Sequence, residues 1–189
     1  MVKPILLLDM DGPLADLEGA IRRHMETEHG IFLPEARFET FREDTSLPDD
    51  VKHKIYEHMH SPGFSANLRV EPGAKEAVLR LEQCYDIYVL SKPMGKPHNS
   101  SDKKEWLYEH FPRLADERAI LTGSKHLVFG DVFVDDHAHR NLRPWSQMWP
   151  NSMPIAYEKP YNAGFMGFRG TWQDGLADVL VEISGTFKR

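Results

Sequence analysis

Asp9 and Asp11 stand one residue apart at the end of an apolar run, and a second acid pair, Asp135-Asp136, closes the apolar string "VFVDD". Between them come Ser91, after "YDIYVL", and Lys125, after "LTGS". Carboxylates brought to one edge repel one another unless a cation neutralises them, and an all-oxygen set suits a hard ion such as Mg²⁺. A serine hydroxyl and a lysine ammonium nearby would grip phosphoryl oxygens. Each element alone has an ordinary reading, as a turn or a solvated pair. Together, each at or just beyond the end of a strand-like stretch, they fit phosphoryl transfer.

The flanking pattern says what must position these groups. Ile5-Leu6-Leu7-Leu8 has no polar alternation, which suits a strand buried on both faces or a buried helix, and Gly12-Pro13 favours the strand because that pair breaks helices. Further strand-like stretches lie at 85–91, 118–122, 131–136 and 153–158, and helix-like segments at 14–29, 73–84, 101–111 and 173–184. Strands alternating with helices predict an α/β fold with a parallel sheet. The acids then fall at the carboxyl ends of strands, where open α/β sheets bind ligands. Asp16, past the turn, is expected at a helix N-terminus, facing the helix dipole.

From Asp11 to Ser91 the chain runs 80 positions, whereas a βαβ unit needs only ~30. Something is inserted after the first strand. Residues 17–70 carry helical periodicity, turn signals and the aromatics Phe32, Phe38, Phe41, Tyr56 and Phe64, and an insertion from this end of a sheet is placed to act as a lid. Any one of these aromatics is expected to fill a small helical core. Phe64, in the return stretch "GFSANL", is the exception set aside as a base-stacking candidate.

The 189 residues, 41% of them hydrophobic, suffice for one sizeable core. A net charge of −6 argues against broad binding to nucleic-acid polymers, so an anionic substrate needs a local basic pocket. Lys92 and Lys96, beside Ser91, are either solvated loop charges or part of that pocket, and Lys92 is counted with the phosphate-binding set. The single cysteine, Cys84, excludes an intramolecular disulfide and fits a reducing compartment. No apolar run approaches the roughly 20 residues that span a bilayer, and no secretory pattern opens the chain, so a soluble, cytoplasmic protein without a membrane partner is expected. A homodimer is the default expectation for assembly. The pairs His58-x-His60 and His137-x-His139 could hold a transition metal, but surface histidines are the plainer reading.

The opening "DMDGPLADLE" resembles the start of the 5′(3′)-deoxyribonucleotidase family within the haloacid dehalogenase superfamily. The resemblance continues, in family order, through "PGAKEAV" (72–78), "SKPMGKPHNSSDKKEWLYEHF" (91–111), "LTGSK" (121–125) and "VFVDD" (132–136). It implies a Rossmann-like parallel sheet flanked by helices, the haloacid dehalogenase-like fold. The catalytic core would comprise residues 1–16 and 71–189, with a small helical cap at 17–70. It further implies that Asp9 attacks phosphorus to give an aspartyl-phosphate and that Asp11 serves as acid and then base. Ser91, Lys125 and Lys103 would hold phosphate, Lys103 by its spacing from Trp106 with Lys104 as the alternative. Mg²⁺ would sit between Asp9, the Asp11 main-chain carbonyl and Asp136, with Asp135 supporting. Dehalogenases lack the second acid, so Asp11 points to an oxygen leaving group and a phosphate ester.

Three departures bear on specificity. Pro13 replaces the small or β-branched residue usual after DxDG, Leu17 stands where family members tend to carry a base-contacting aromatic, and "FETFREDTSLPDD" lacks the Phe-Trp pair of mammalian-type members. Leu17 and Phe64 are therefore the cap residues to watch. The expected activity is Mg²⁺-dependent hydrolysis of nucleoside monophosphates, deoxyribonucleotides first. The alternatives are a small-phosphoester phosphatase of loose specificity and a non-hydrolytic nucleotide- or phosphate-binding module.

Overall fold

The computed structural model describes residues 2–33 and 47–187, so Phe38, Phe41 and residues 38–46 of the segment without the Phe-Trp pair lie outside the described residues. Six strands, β1 (Ile5–Leu8), β2 (Asp86–Ser91), β3 (Ala119–Leu121), β4 (Val132–Asp135), β5 (Met153–Tyr157) and β6 (Phe168–Gly170), form one parallel sheet in the order β3-β2-β1-β4-β5-β6. β1 lies inside the sheet because both its faces are apolar. Leu6 and Leu8 join one core cluster and Leu7 the other, all at most 1% exposed. Burying each such side chain is worth about 1.5–3 kcal/mol, which fixes this strand firmly.

Among the described residues six α-helices accompany the sheet: α1 (Leu17–His29), α2 (Asp49–Met59), α3 (Ala74–Leu81), α4 (Pro97–His110), α5 (Arg143–Met148) and α6 (Leu176–Ser184). Asp16 caps α1 by accepting a hydrogen bond from the Gly19 N–H at 2.8 Å, as its expected place at a helix start requires, and pairs with Arg23 at 2.9 Å. Gly30 ends α1 in the left-handed conformation that glycine adopts without penalty. α2 turns Val51, Ile55 and Met59 inward at a spacing of four. Ile21 and Met25 of α1 join these residues in the core cluster that also covers one sheet face. Phe64 is buried there too, while Phe32 and Tyr56 are exposed, contrary to the core role expected of them. Tyr56 sits on the outer face of α2, stacked on His60 at 3.8 Å.

Three elements differ from the periodicity, and the first is α5, which falls at Arg143–Met148 where no helix-like segment was expected. α4 begins at Pro97, four residues before the expected start, because its buried face opens with Asn99, Asp102 and Lys103 before Trp106 and Leu107. Proline at the first helical position suits a start. β6 is a three-residue edge strand that follows Gly167 and ends on Gly170, too short to show alternation. No helix among the described residues is long and apolar enough to cross a membrane.

Candidate active site

Strand register brings the acids together. Leu8 of β1 pairs with Val134 of β4 and with Val89 of β2, and the Asp9 N–H donates to the Val134 carbonyl at 2.9 Å. Asp9 thus leaves the sheet beside Asp135 and Asp136, with Ser91 ending the strand on its other side. Lys125 opens the 3₁₀ turn Lys125–Leu127 and is buried, its Nζ 2.7 Å from Asp9 Oδ2 and 2.8 Å from Asp135 Oδ2. Asp135 is fully engaged: it also accepts from the His137 N–H at 2.8 Å and from Asn141 Nδ2 at 2.9 Å.

Asp11 follows in the tight turn where the Leu14 and Ala15 N–H groups donate to the Met10 carbonyl at 3.1 and 2.8 Å. Lys103, reaching over from α4 and fully buried, donates to Asp11 Oδ2 at 2.6 Å, whereas Lys104 is exposed. Gly12 has φ +95° and its carbon faces Asp136: an added Cβ would lie 2.9 Å from the Asp136 Cγ, so only glycine fits. Pro13 is accommodated, its carbonyl accepting from Trp172 Nε1 at 2.6 Å.

Three oxygens here are buried without a hydrogen-bond partner among the described residues: Ser91 Oγ, Asp11 Oδ1 and Asp136 Oδ1. Leaving such groups unmet costs about 1–3 kcal/mol each, so their concentration marks a place built for a ligand. Asp9, Asp135 and Asp136 offer carboxylate oxygens within 4.8 Å of one another. That donor set, all hard oxygen with one atom of Asp136 unsatisfied, fits a small divalent cation such as Mg²⁺.

The electrostatics agree with this. Burial pushes Asp9 up to about 7 against the pull of Lys125, and Asp135 and Asp11 add to the rise. Burial also raises Asp136. Burial alone would push Lys125 down, but Asp135 and Asp9 hold its ammonium above the ordinary lysine value. Neighbouring carboxylates and low dielectric together favour a bound positive charge.

Residues that sequence reasoning left without a site role flank Asp136. Tyr161 donates to Asp136 Oδ2, and Asn162 Nδ2 donates to the Asp136 carbonyl at 2.9 Å. Tyr161 is hydrogen-bonded to Glu18 as well, and burial pushes Glu18 up to about 7. Tyr161 and Asn162 both lie in the "EKPYNAGF" turn (158–165) that follows β5. An asparagine two residues after Pro160, in the turn that follows β5, was the available signal, since such a residue can hold neighbouring backbone.

The remaining predicted residues lie further out. Lys92 and Lys96 are exposed, Lys92 with its Cε 3.9 Å from where a Gly123 Cβ would be. Leu17 is half-buried at the start of α1. Phe64, 7% exposed, meets the His58 ring edge-on and lines a cavity of about 290 Å³ with Ala20, His58, Asn67 and Leu68. That cavity wall is tied to α4: the Gly63 N–H donates to Asp102 at 2.9 Å, and Asn99 donates to Ser65 Oγ at 2.7 Å. Of the histidine pairs, His139 is exposed, and His58 stacks on His24 at 3.5 Å.

The chain is similar to known proteins in fold and in sequence. A hydrolase of the haloacid dehalogenase family from Deinococcus radiodurans, its structure solved with bound phosphate and sodium, superposes with a TM-score of 0.61 at 15% identity, over 98% of each chain. YfnB of Bacillus subtilis, a haloacid dehalogenase-type hydrolase bound to magnesium, gives 0.57 at 13% identity over 95% of this chain and 99% of its own. Among sequences, the 5′(3′)-deoxyribonucleotidase of Bacillus subtilis is 28% identical over 161 residues, covering 85% of this chain and 88% of its own length. A Staphylococcus epidermidis protein provisionally given the same name is 31% identical over 144 residues, covering 72% and 76%. Residues 3–183 match the family described as 5′ nucleotidase, deoxy (pyrimidine), cytosolic type C protein, and the chain belongs to that deoxyribonucleotidase family of the haloacid dehalogenase superfamily.

Proposed function

We propose that this phosphoric monoester hydrolase cleaves deoxyribonucleoside monophosphates by a Mg²⁺-dependent, two-step displacement on Asp9. The three unpartnered buried oxygens around Asp9 carry this reading. Asp9 attacks phosphorus; the Asp–O–P bond forms as the bond to the leaving oxygen breaks, and Asp11 gives its proton to the departing nucleoside hydroxyl. Water then attacks the aspartyl-phosphate, Asp11 takes the water's proton, and Asp9 is regenerated with release of inorganic phosphate. Ser91 Oγ donates to a phosphoryl oxygen, and Lys125 aims Asp9. Lys103 fixes the Asp11 carboxyl by donating to Oδ2 at 2.6 Å, which leaves Oδ1 as the oxygen that carries the proton passed to the leaving group. Asp9, Asp136 and the Asp11 main-chain carbonyl would hold the cation, with Asp135 supporting. Bound there, Mg²⁺ supplies the positive charge that lets phosphoryl oxygens approach carboxylates.

Residues 17–70 act as the cap, and the nucleoside occupies the cavity beside Phe64, whose wall is tied through the Gly63 N–H to Asp102 of α4, the helix that carries Lys103. The magnesium-bound and phosphate-bound fold relatives support a cation and a phosphoryl group at the acid cluster, and the family's description supports a deoxynucleotide substrate.

Phosphate release from a panel of deoxy- and ribonucleoside 5′- and 3′-monophosphates and simple sugar phosphates tests the substrate assignment. Deoxypyrimidine nucleotides should turn over fastest, and Phe64→Ala should raise KM for nucleotides about tenfold while leaving turnover of a small sugar phosphate unchanged. Equal rates across sugar phosphates and nucleotides, unaffected by Phe64→Ala, would favour the loose-specificity phosphatase.

A further inference from the structure

We propose that Tyr161 is a positioning residue for the cation site, presenting Asp136 with one oxygen held and the other free, on a turn locked to both ends of the 17–70 segment. This rests on the cation reading above and adds a residue to it.

Asp136 is gripped twice from the turn after β5: Tyr161 donates to Oδ2, and Asn162 Nδ2 donates to the main-chain carbonyl at 2.9 Å. Of its two carboxylate oxygens, Oδ1 has no hydrogen-bond partner among the described residues. A carboxylate with one oxygen fixed by a phenol cannot rotate freely, so its free oxygen points in a set direction before any ion arrives.

The turn itself has little freedom. Asn162, 1% exposed, spends its second N–H on the Tyr157 carbonyl at 2.8 Å and accepts from the Lys159 N–H at 3.1 Å. The Tyr161 ring lies against His137 at a centroid distance of 5.9 Å. Lys159 Nζ stands 4.0 Å from Glu18 and 3.8 Å from Glu71. Glu18 lies in the first turn of α1, and Glu71 is the residue whose N–H donates to the Leu14 carbonyl at 2.8 Å. The two chain crossings that bound residues 17–70 therefore converge on one lysine of the turn that holds Asp136. Tyr157 closes the arrangement, its hydroxyl donating to Glu71 at 3.1 Å.

Tyr161→Phe removes one hydroxyl and keeps the ring. Mg²⁺ binding is measured by titration calorimetry on wild type, Tyr161→Phe and Asp136→Asn, with thermal midpoints without Mg²⁺ and the Mg²⁺ dependence of turnover alongside. The expected result is Mg²⁺ affinity about tenfold or more weaker in Tyr161→Phe, an unchanged midpoint, and kcat restored at saturating Mg²⁺. Wild-type affinity in Tyr161→Phe, or a kcat that saturating Mg²⁺ does not restore, overturns the positioning role. Wild-type protein that binds no Mg²⁺, or whose binding survives Asp136→Asn, overturns the cation reading itself and this inference with it.

Discussion

Lys103 reaches Asp11 from α4 with no exposed surface of its own, while the Asp11 side chain keeps 16%. A buried ion pair adds little net stability, but removing one partner strands the other's charge at a cost of about 3–5 kcal/mol. Lys103→Met should therefore lower the free energy of unfolding by about 3 kcal/mol in urea denaturation, and adding Asp11→Asn should recover part of that loss. A single variant as stable as wild type, with no coupling in the double, would mean the pair is not made in solution. The family resemblance marked this lysine by its spacing from Trp106, with Lys104 as the alternative. The acids and Ser91 were equally legible, because strand ends in an α/β sheet announce where side chains converge. Tyr161 was not, since nothing in a tyrosine within a turn distinguishes packing from a hydrogen bond to a carboxylate across the sheet's edge.

At the scale of elements, α1 and α2 meet through stacked rings. His24 and His58 lie 3.5 Å apart and nearly parallel, with His29 edge-on to His24 at 5.4 Å. Burial pushes His58 down to about 4, and the neighbouring His24 and His29 add to the depression. An unfolded histidine takes its proton near 6.5, so the unfolded chain binds more protons than the folded one between about 6.5 and 4. The stabilising contribution is present above about 6.5 and is lost as pH falls toward 4. Wild type should thus lose more thermal stability between pH 7 and pH 5 than His58→Leu does. Parallel losses in the two proteins would show that the stack does not titrate as the packing requires. These rings were hidden in the sequence, where His58-x-His60 invited comparison with its own neighbour rather than with a residue on another helix. The early start of α4 was hidden for a related reason: Asn99, Asp102 and Lys103 are buried because they bond the 63–65 stretch and Asp11, not because they are apolar.

At the scale of the molecule, the order β3-β2-β1-β4-β5-β6 puts the chain's first strand inside the sheet and gathers groups from residue 9 to residue 162 at one edge. The 80-position gap between Asp11 and Ser91 revealed that something intervenes there, but periodicity could not say that Ile21, Met25, Val51, Ile55 and Met59 would share a cluster with the sheet core. Continuity of that cluster is a tertiary outcome, settled by which faces meet. The rigid sheet holds Asp9 where an error of an ångström would cost rate heavily, and so the account turns on Asp9. Inorganic phosphate release from a deoxypyrimidine monophosphate should be measured for wild type and Asp9→Asn, each with Mg²⁺ and with EDTA, after circular dichroism shows both folded. The account predicts turnover that EDTA abolishes in wild type and a loss of at least about 10⁴-fold in the variant. Turnover by Asp9→Asn within tenfold of wild type would contradict it.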